Sequence, residues 1–268
     1  MKYIFFITGI LFSLLPTQKA LAKSACSNID REVLVGELCT KIETYKSQEN
    51  SDNPTLVIAL HGDSAFIRPF VQNRVAQKIV ESNDNVIAVG MLRPGYKDDF
   101  GRKSDGEMGL TVGDNYDDVR VKQITDAIKS LKHIHKAGKV VLIGHSGGAA
   151  ITTRIIGLYP NLINHAIAIS CPCDINAWRK DMLLRNEYEP FRGDLPISSP
   201  IELAANVSDK TKISLLVAKM DDVTKPYLTK QYYRELKKHG KNVEMKIIEG
   251  GHNIFQTNAA MEIISKAL

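Results

Sequence analysis

Apolar residues fall in short continuous runs along this chain, each ended by polar or glycine-containing residues. Thr55–Leu60, Asn85–Val89, Lys139–Ile143, Ala166–Ile169, Ile213–Ala218 and Val243–Ile248 are too short for helices and rich in β-branched residues, so they predict buried strands. Between them the apolar positions take helical spacing, over Pro69–Glu81, Tyr116–Lys136, Ala149–Leu158, Tyr227–Lys238 and Ala259–Ala267. Alternation of the two patterns predicts an α/β fold with a mostly parallel central sheet and helices on both faces. Ahead of this repeat, Glu32 to Tyr45 carries short alternations suited to one or two edge strands.

Two stretches break the rhythm. Met91 to Asn115 is rich in glycine and poor in apolar periodicity, which predicts a long loop at the carboxyl edge of the sheet, where ligands bind. About 174–207, with Trp178, Tyr188, Phe191, Pro190, Pro196 and Pro200, reads as a small cap insertion. Tyr96, Asp98, Asp99 and Arg102 in the loop and Trp178, Arg179 and Tyr188 in the insertion are candidates for recognising a planar or carboxylate-bearing substrate. The competing expectation is that Arg93, Arg102 and Arg179 hold the loops by surface salt bridges.

The first residues change the picture of where the protein works. Lys2, an apolar run from Ile4 to Leu15 and a polar stretch ending Ala20-Leu21-Ala22 predict a signal peptide over 1–22, cleaved after Ala22, and one domain over 23–268. The apolar run falls short of the roughly 20 residues that cross a bilayer, so no stable membrane span is expected once the leader is gone, and the protein is expected to be periplasmic or secreted. The formal charge of +5 includes Lys2 and Lys19, leaving +3, which gives no reason to expect a nucleic-acid partner. Four cysteines suit an oxidising compartment. A Cys26–Cys39 bridge would tie down the N-terminus, whereas a bridge across Cys171-Pro172-Cys173 is expected to be strained. The alternative for that pair is thiol redox chemistry, and no metal site is expected. Nothing in the sequence sets the oligomeric state.

Gly144-His145-Ser146-Gly147-Gly148 lies between a predicted strand and a predicted helix. In that context a G-x-S-x-G turn has a physical purpose: Gly144 and Gly148 remove side chains that would collide with backbone, and Ser146 is exposed as a nucleophile. The amide of Gly147 then faces an oxyanion, and a second donor is expected at Asp63, after His61-Gly62, with Ser64 as its neighbour. His61 itself is expected to be structural. His252 follows the last strand and is the expected general base; His133, His135 and His239 sit among lysines in helical segments, and His145 and His165 lack the loop position a base needs. The acid lies in Lys219-Met220-Asp221-Asp222-Val223. Spacing from the strand end favours Asp222, with Asp221 as the alternative.

These motifs, His61-Gly62-Asp63, Gly144 to Gly148, Asp221-Asp222 with Pro226, and Gly251-His252, together resemble the α/β-hydrolase superfamily over about 32–268. The chain looks most like the small bacterial proteins grouped with dienelactone hydrolases and the catalytic domain of prolyl oligopeptidases. The resemblance implies Ser146 as nucleophile, Asp222 as acid, His252 as base and no cofactor, although Lys219 stands where the relatives have a strand-end glycine. It implies cleavage of a small-molecule ester or a short peptide. Hydrolysis of a carboxylic ester through an acyl-enzyme is the expected activity. A secreted serine peptidase or aminoacyl-amide hydrolase, and a non-catalytic binding protein on the same fold, are the alternatives.

Overall fold

Each of the six apolar runs from Thr55–Leu60 to Val243–Ile248 forms a strand in the computed structural model, which describes residues 26–64, 68–109, 112–187 and 189–268. The expected leader and Tyr188 lie outside the described residues. β1 (Glu32–Val35) and β2 (Leu38–Lys46) form a hairpin, and β2 runs antiparallel to β4 (Val86–Met91). β3 (Thr55–Leu60), β4, β5 (Lys139–His145), β6 (His165–Ile169), β7 (Lys212–Ala218) and β8 (Val243–Ile248) are mutually parallel, in the order β1-β2-β4-β3-β5-β6-β7-β8.

The continuous apolar runs are explained by burial on both faces. Along β3, Leu56, Ile58 and Leu60 join one core cluster while Val57 and Ala59 join the other. The first cluster packs against α2 (Asp118–Ile134), α3 (Gly147–Leu158) and α5 (Pro226–Lys238), through residues such as Ile124, Ile151 and Leu228. The second packs against α1 (Val71–Ser82) and α6 (Asn258–Lys266), through Val75, Ile79 and Ile264. Each such aliphatic side chain contributes about 1.5–3 kcal/mol by leaving water. Asp117 caps α2 by accepting from the amides of Val119 and Arg120, which accounts for the Asp117-Asp118 pair as a helix start. Among the described residues no helix is long and apolar enough to cross a membrane.

Chain order reverses at β3, which sits between β4 and β5. From β3 the chain passes to β4 on one side and then to β5 and beyond on the other, so a crevice opens at the carboxyl ends of β3 and β5. Leu60 is in register with Gly144 there, which brings His61-Gly62-Asp63 beside the Gly144 to Gly148 turn. α3 starts at Gly147, two residues before the helical spacing of the sequence begins at Ala149, because the glycines of the turn form its first residues.

Two arginines of the irregular stretches differ from expectation and the third does not. Arg93 and Arg179 are 1% and 3% exposed, so neither makes a surface salt bridge. Arg102 pairs with Asp98 and Glu43. Between β6 and β7 lie α4 (Ile175–Asn186) and two 3-10 turns, Glu189–Phe191 and Pro200–Asn206. Arg179 holds this segment by donating to the carbonyl oxygens of Gly113, Pro190 and Gly193, and Trp178 donates through Nε1 to the carbonyl of Val223.

All four cysteines are paired, Cys26 with Cys39 and Cys171 with Cys173. The second bridge, expected to be strained, is present, and both of its cysteines are fully buried. Glu32 lies near the Cys26–Cys39 bridge, but the Lys41 ammonium donates to Glu32 and to Cys39 Sγ, and the sulfurs are already committed to each other.

Candidate active site

Ser146 sits between β5 and α3 with φ +55° and ψ −120°, a conformation L-residues avoid. Close packing imposes it. A Cβ on Gly144 would stand 2.1 Å from the Gly148 carbonyl oxygen, and one on Gly148 would stand 2.6 Å from the carbonyl oxygens of Leu60 and His61. Only glycine fits at either position, so the tight turn aims the serine out of the sheet edge.

His252 lies on the loop between β8 and α6, and its Nδ1 is 3.0 Å from each carboxylate oxygen of Asp221. This corrects the expected acid. Asp222 is turned to solvent, where its carboxylate and its carbonyl both accept from Arg185. Asp221 is buried, and its carboxylate also accepts from the amides of Val223 and Thr224 and from the Thr224 hydroxyl. Burial alone would raise its pKa; the hydrogen bond and charge of His252, with the Thr224 amide and Ser170, outweigh burial and hold it below the usual carboxylate value. An ionised acceptor-only carboxylate places the proton of a neutral His252 ring on Nδ1, which leaves Nε2 able to accept one.

Two neighbours that the sequence did not single out hold His252 in place. His145 Nε2 is 2.9 Å from the His252 carbonyl, so it carries a proton and donates. Burial, and then the proximity of His252, push His145 down to about 4, which keeps it neutral. Its ring stacks on Phe255 at 5.5 Å. Ser170 Oγ donates to the same carbonyl at 3.4 Å, and the Ser170 carbonyl accepts from Thr224 at 3.0 Å. Ser170 itself has φ +51° and directly precedes the Cys171–Cys173 bridge.

Ser146 and His252 line one cavity of about 280 Å³ with Gly62, Asp63, Ser64, Val71, His145, Asn253, Phe255 and Gln256. No hydrogen bond joins Ser146 to His252 among the described residues; such contacts commonly tighten only when substrate fills the site. None of the described residues of 174–207 lines the cavity, so the segment expected to cap it contributes nothing to its wall, and Tyr96, Asp98, Asp99, Arg102, Trp178 and Arg179 do not line it either.

Asp63, expected with Gly147 to supply an oxyanion donor, has its carboxylate held in a buried ion pair. Asp63 accepts from Arg93 Nη1 at 2.9 Å, from the Gly113 amide at 3.0 Å and from the Tyr116 hydroxyl. Burial, then the Asp63 charge, push the Tyr116 phenol well above its ordinary value, so it stays a donor. Arg93 also donates to Asn115 and to the His61 carbonyl. A Cβ on Gly147 would stand 2.2 Å from the Asp63 carboxylate, so the pair packs directly on the residue after Ser146. His61 is structural, as expected: it is fully buried, Nδ1 donates to the Gly62 carbonyl and Nε2 accepts from the Arg93 amide. Burial, then the Arg93 charge, hold it well below its ordinary value and therefore neutral.

The arrangement sets a histidine steadied by a buried carboxylate on the same cavity as the Ser146 side chain. Solved structures with a similar fold include an esterase of Pyrococcus furiosus, with a TM-score of 0.69 at 15% identity, covering 88% of each chain. An acylaminoacyl peptidase of Pyrococcus horikoshii matches with a TM-score of 0.66 at 15% identity over 87% of this chain and 39% of its own. A puromycin-hydrolysing peptidase of Mycobacterium tuberculosis matches with a TM-score of 0.69 at 14% identity over 88% of this chain and 38% of its own. The chain thus spans about two fifths of the length of either peptidase, and at these identities the likeness is one of fold. A sequence search of curated proteins finds no match. The sequence profile of the prolyl oligopeptidase family matches residues 106–268, more than half of the chain, and the chain belongs to that family.

Proposed function

We propose that the protein is an exported serine hydrolase that cleaves a carboxylic ester or a related acyl bond. Ser146 attacks the carbonyl carbon while His252 Nε2 takes its proton, and Asp221 orients and stabilises the resulting imidazolium. The amides of Asp63 and Gly147 receive the tetrahedral oxyanion. His252 then protonates the leaving alcohol, and a water activated by the same nitrogen releases the acid from the acyl-enzyme. The observation that carries this reading is the grip of Asp221 on His252 Nδ1 beside the cavity that holds Ser146.

The cavity lining favours a small uncharged acyl group. Val71 and Phe255 supply apolar surface, Ser64, Asn253 and Gln256 supply neutral polar groups, and the carboxylate of Asp63 is taken up by Arg93. A volume of about 280 Å³ lies at the small end of ligand pockets. Export is supported by the leader-like N-terminus and by the pairing of all four cysteines, which suits an oxidising compartment.

A serine peptidase or aminoacyl-amide hydrolase is the second reading, favoured by the membership of the prolyl oligopeptidase family. Turnover of a short-chain p-nitrophenyl ester beside an aminoacyl p-nitroanilide separates the two. The proposal expects a higher kcat/KM on the ester, with an initial burst of nitrophenol. A higher kcat/KM on the anilide would replace it with the peptidase, and turnover of neither by folded protein would leave a binding role.

A further inference from the structure

The Cys171–Cys173 bridge joins residues with a sequence separation of 2, whereas that of Cys26–Cys39 is 13. Closing a loop restrains the unfolded chain less the shorter the loop, so a bridge across one proline adds little stability through chain entropy. Its effect is local, on the backbone it closes. Both cysteines are fully buried and held from several sides. The Cys171 carbonyl accepts from the Thr229 hydroxyl of α5 at 3.4 Å, and the Thr153 hydroxyl of α3 lies 3.7 Å from Cys171 Sγ. The Cys173 carbonyl accepts from the Ile201 amide at 3.0 Å. The bridge is thus fixed to the protein on either side of Pro172.

Ser170 is the residue through which this anchored loop meets the catalytic groups. Its amide donates to the Leu216 carbonyl at 2.9 Å, extending the pairing of β6 with β7 by one residue, and its φ of +51° then turns the chain out of the sheet. A residue with a side chain keeps that conformation only where its neighbours over-determine it. The turn leaves both polar groups of Ser170 facing Asp221 and His252. Its hydroxyl meets the His252 carbonyl at 3.4 Å and also the Asp221 carboxylate. Its carbonyl accepts from the Thr224 hydroxyl at 3.0 Å, and that hydroxyl is 2.9 Å from Asp221 Oδ2 and 3.3 Å from His252 Nδ1. The carbonyl belongs to the peptide that joins Ser170 to Cys171, so any rotation of the chain at Cys171 carries it away from Thr224.

We propose that the Cys171–Cys173 bridge is a positioning element of the active site, holding the Ser170 carbonyl where it orients the Thr224 hydroxyl and, through it, Asp221 and His252. The inference rests on Ser146, Asp221 and His252 acting as proposed above. Neither cysteine lines the cavity, so the bridge acts on the rate of the chemical step and not on substrate binding.

Steady-state kinetics on one p-nitrophenyl ester test it. In Cys171→Ala/Cys173→Ala, kcat is expected to fall about tenfold with KM within about twofold of wild type, because a small misplacement of a catalytic group slows the reaction without weakening uniform binding. Cys26→Ala/Cys39→Ala, which removes the other bridge, is expected to keep the wild-type kcat. A double-mutant cycle with Thr224→Val separates positioning from a general effect on stability. Thr224→Val alone is expected to lower kcat about tenfold, and removing the bridge as well to cost less than about a further twofold, because the Ser170 carbonyl has already lost its partner. Thr224→Ser keeps the hydroxyl and is expected to retain both the activity and its full dependence on the bridge. Cys26→Ala/Cys39→Ala folded with and without a phosphine reductant, its thiols counted by alkylation and mass spectrometry, makes the same comparison with Cys171 and Cys173 unsubstituted. Turnover by the wild-type protein establishes the hydrolase reading beforehand. An unchanged kcat without the bridge, or a loss repeated in full in Thr224→Val, would then overturn the inference and leave that reading standing.

Discussion

Asp221 and Asp222 are adjacent, chemically identical and both just past a strand, yet only one touches His252. What separates them is the turn. Asp221 accepts the amides two and three residues ahead, at Val223 and Thr224, and this local motif directs its carboxylate inward. Asp222 is left pointing outward to Arg185. The two positions therefore have unequal consequences on substitution. Asp221→Asn is expected to lower kcat by roughly four orders of magnitude, because a neutral amide neither fixes the Nδ1–H tautomer nor stabilises the imidazolium. Asp222→Asn loses an exposed ion pair and is expected to change kcat less than about threefold. Steady-state kinetics of the two variants on one ester decide it, and equal losses would contradict the assignment. The Thr224 that follows three residues after Asp221 was a readable sign of the motif. Strand-end spacing was the weaker guide, since side-chain alternation stops where the strand does.

At the scale of elements the sequence was legible wherever burial sets the pattern. β3 and β5 are buried on both faces, so continuous apolar runs announced them, and the glycines around Ser146 announced the turn because a side chain at 144 or 148 meets backbone. His252 was legible from its place after the last strand. The irregular segments were legible only as irregular. Arg93 and Arg179 looked like surface residues because charge is usually solvated, whereas each is buried with its donors satisfied by Asp63 and Asn115 in one case and by carbonyl oxygens in the other. Such partners lie many residues away in the chain, and no local pattern encodes them. His145 was set aside for the same reason: its contact with the His252 carbonyl spans 107 residues.

The whole molecule carries a linked dependence on pH. His145 and His165 are both held at about 4 rather than 6.5, by burial first and then by His252 in one case and Lys139 in the other. Between these values the unfolded chain binds protons that the folded chain does not. Stability is therefore full above about pH 6.5 and declines as pH falls toward 4, by about 2 kcal/mol for each histidine at pH 5. The lowered pKa of Asp221 adds a further loss in the same direction, at pH values below its ordinary 3.8. Urea unfolding at pH 7 and pH 5 measures the first window. A clear loss at pH 5 that shrinks in His165→Gln is expected, and equal stabilities would contradict the burial argument. Activation of Ser146 can be tested on a single oxygen atom. A fluorophosphonate reacts only with a serine activated by a neighbouring base, and the site of its phosphonyl group can be read by mass spectrometry. A single adduct on Ser146 is expected, lost in Ser146→Ala and strongly slowed in His252→Ala; folded protein that takes up no label, or an adduct on another residue, would contradict Ser146 as the nucleophile.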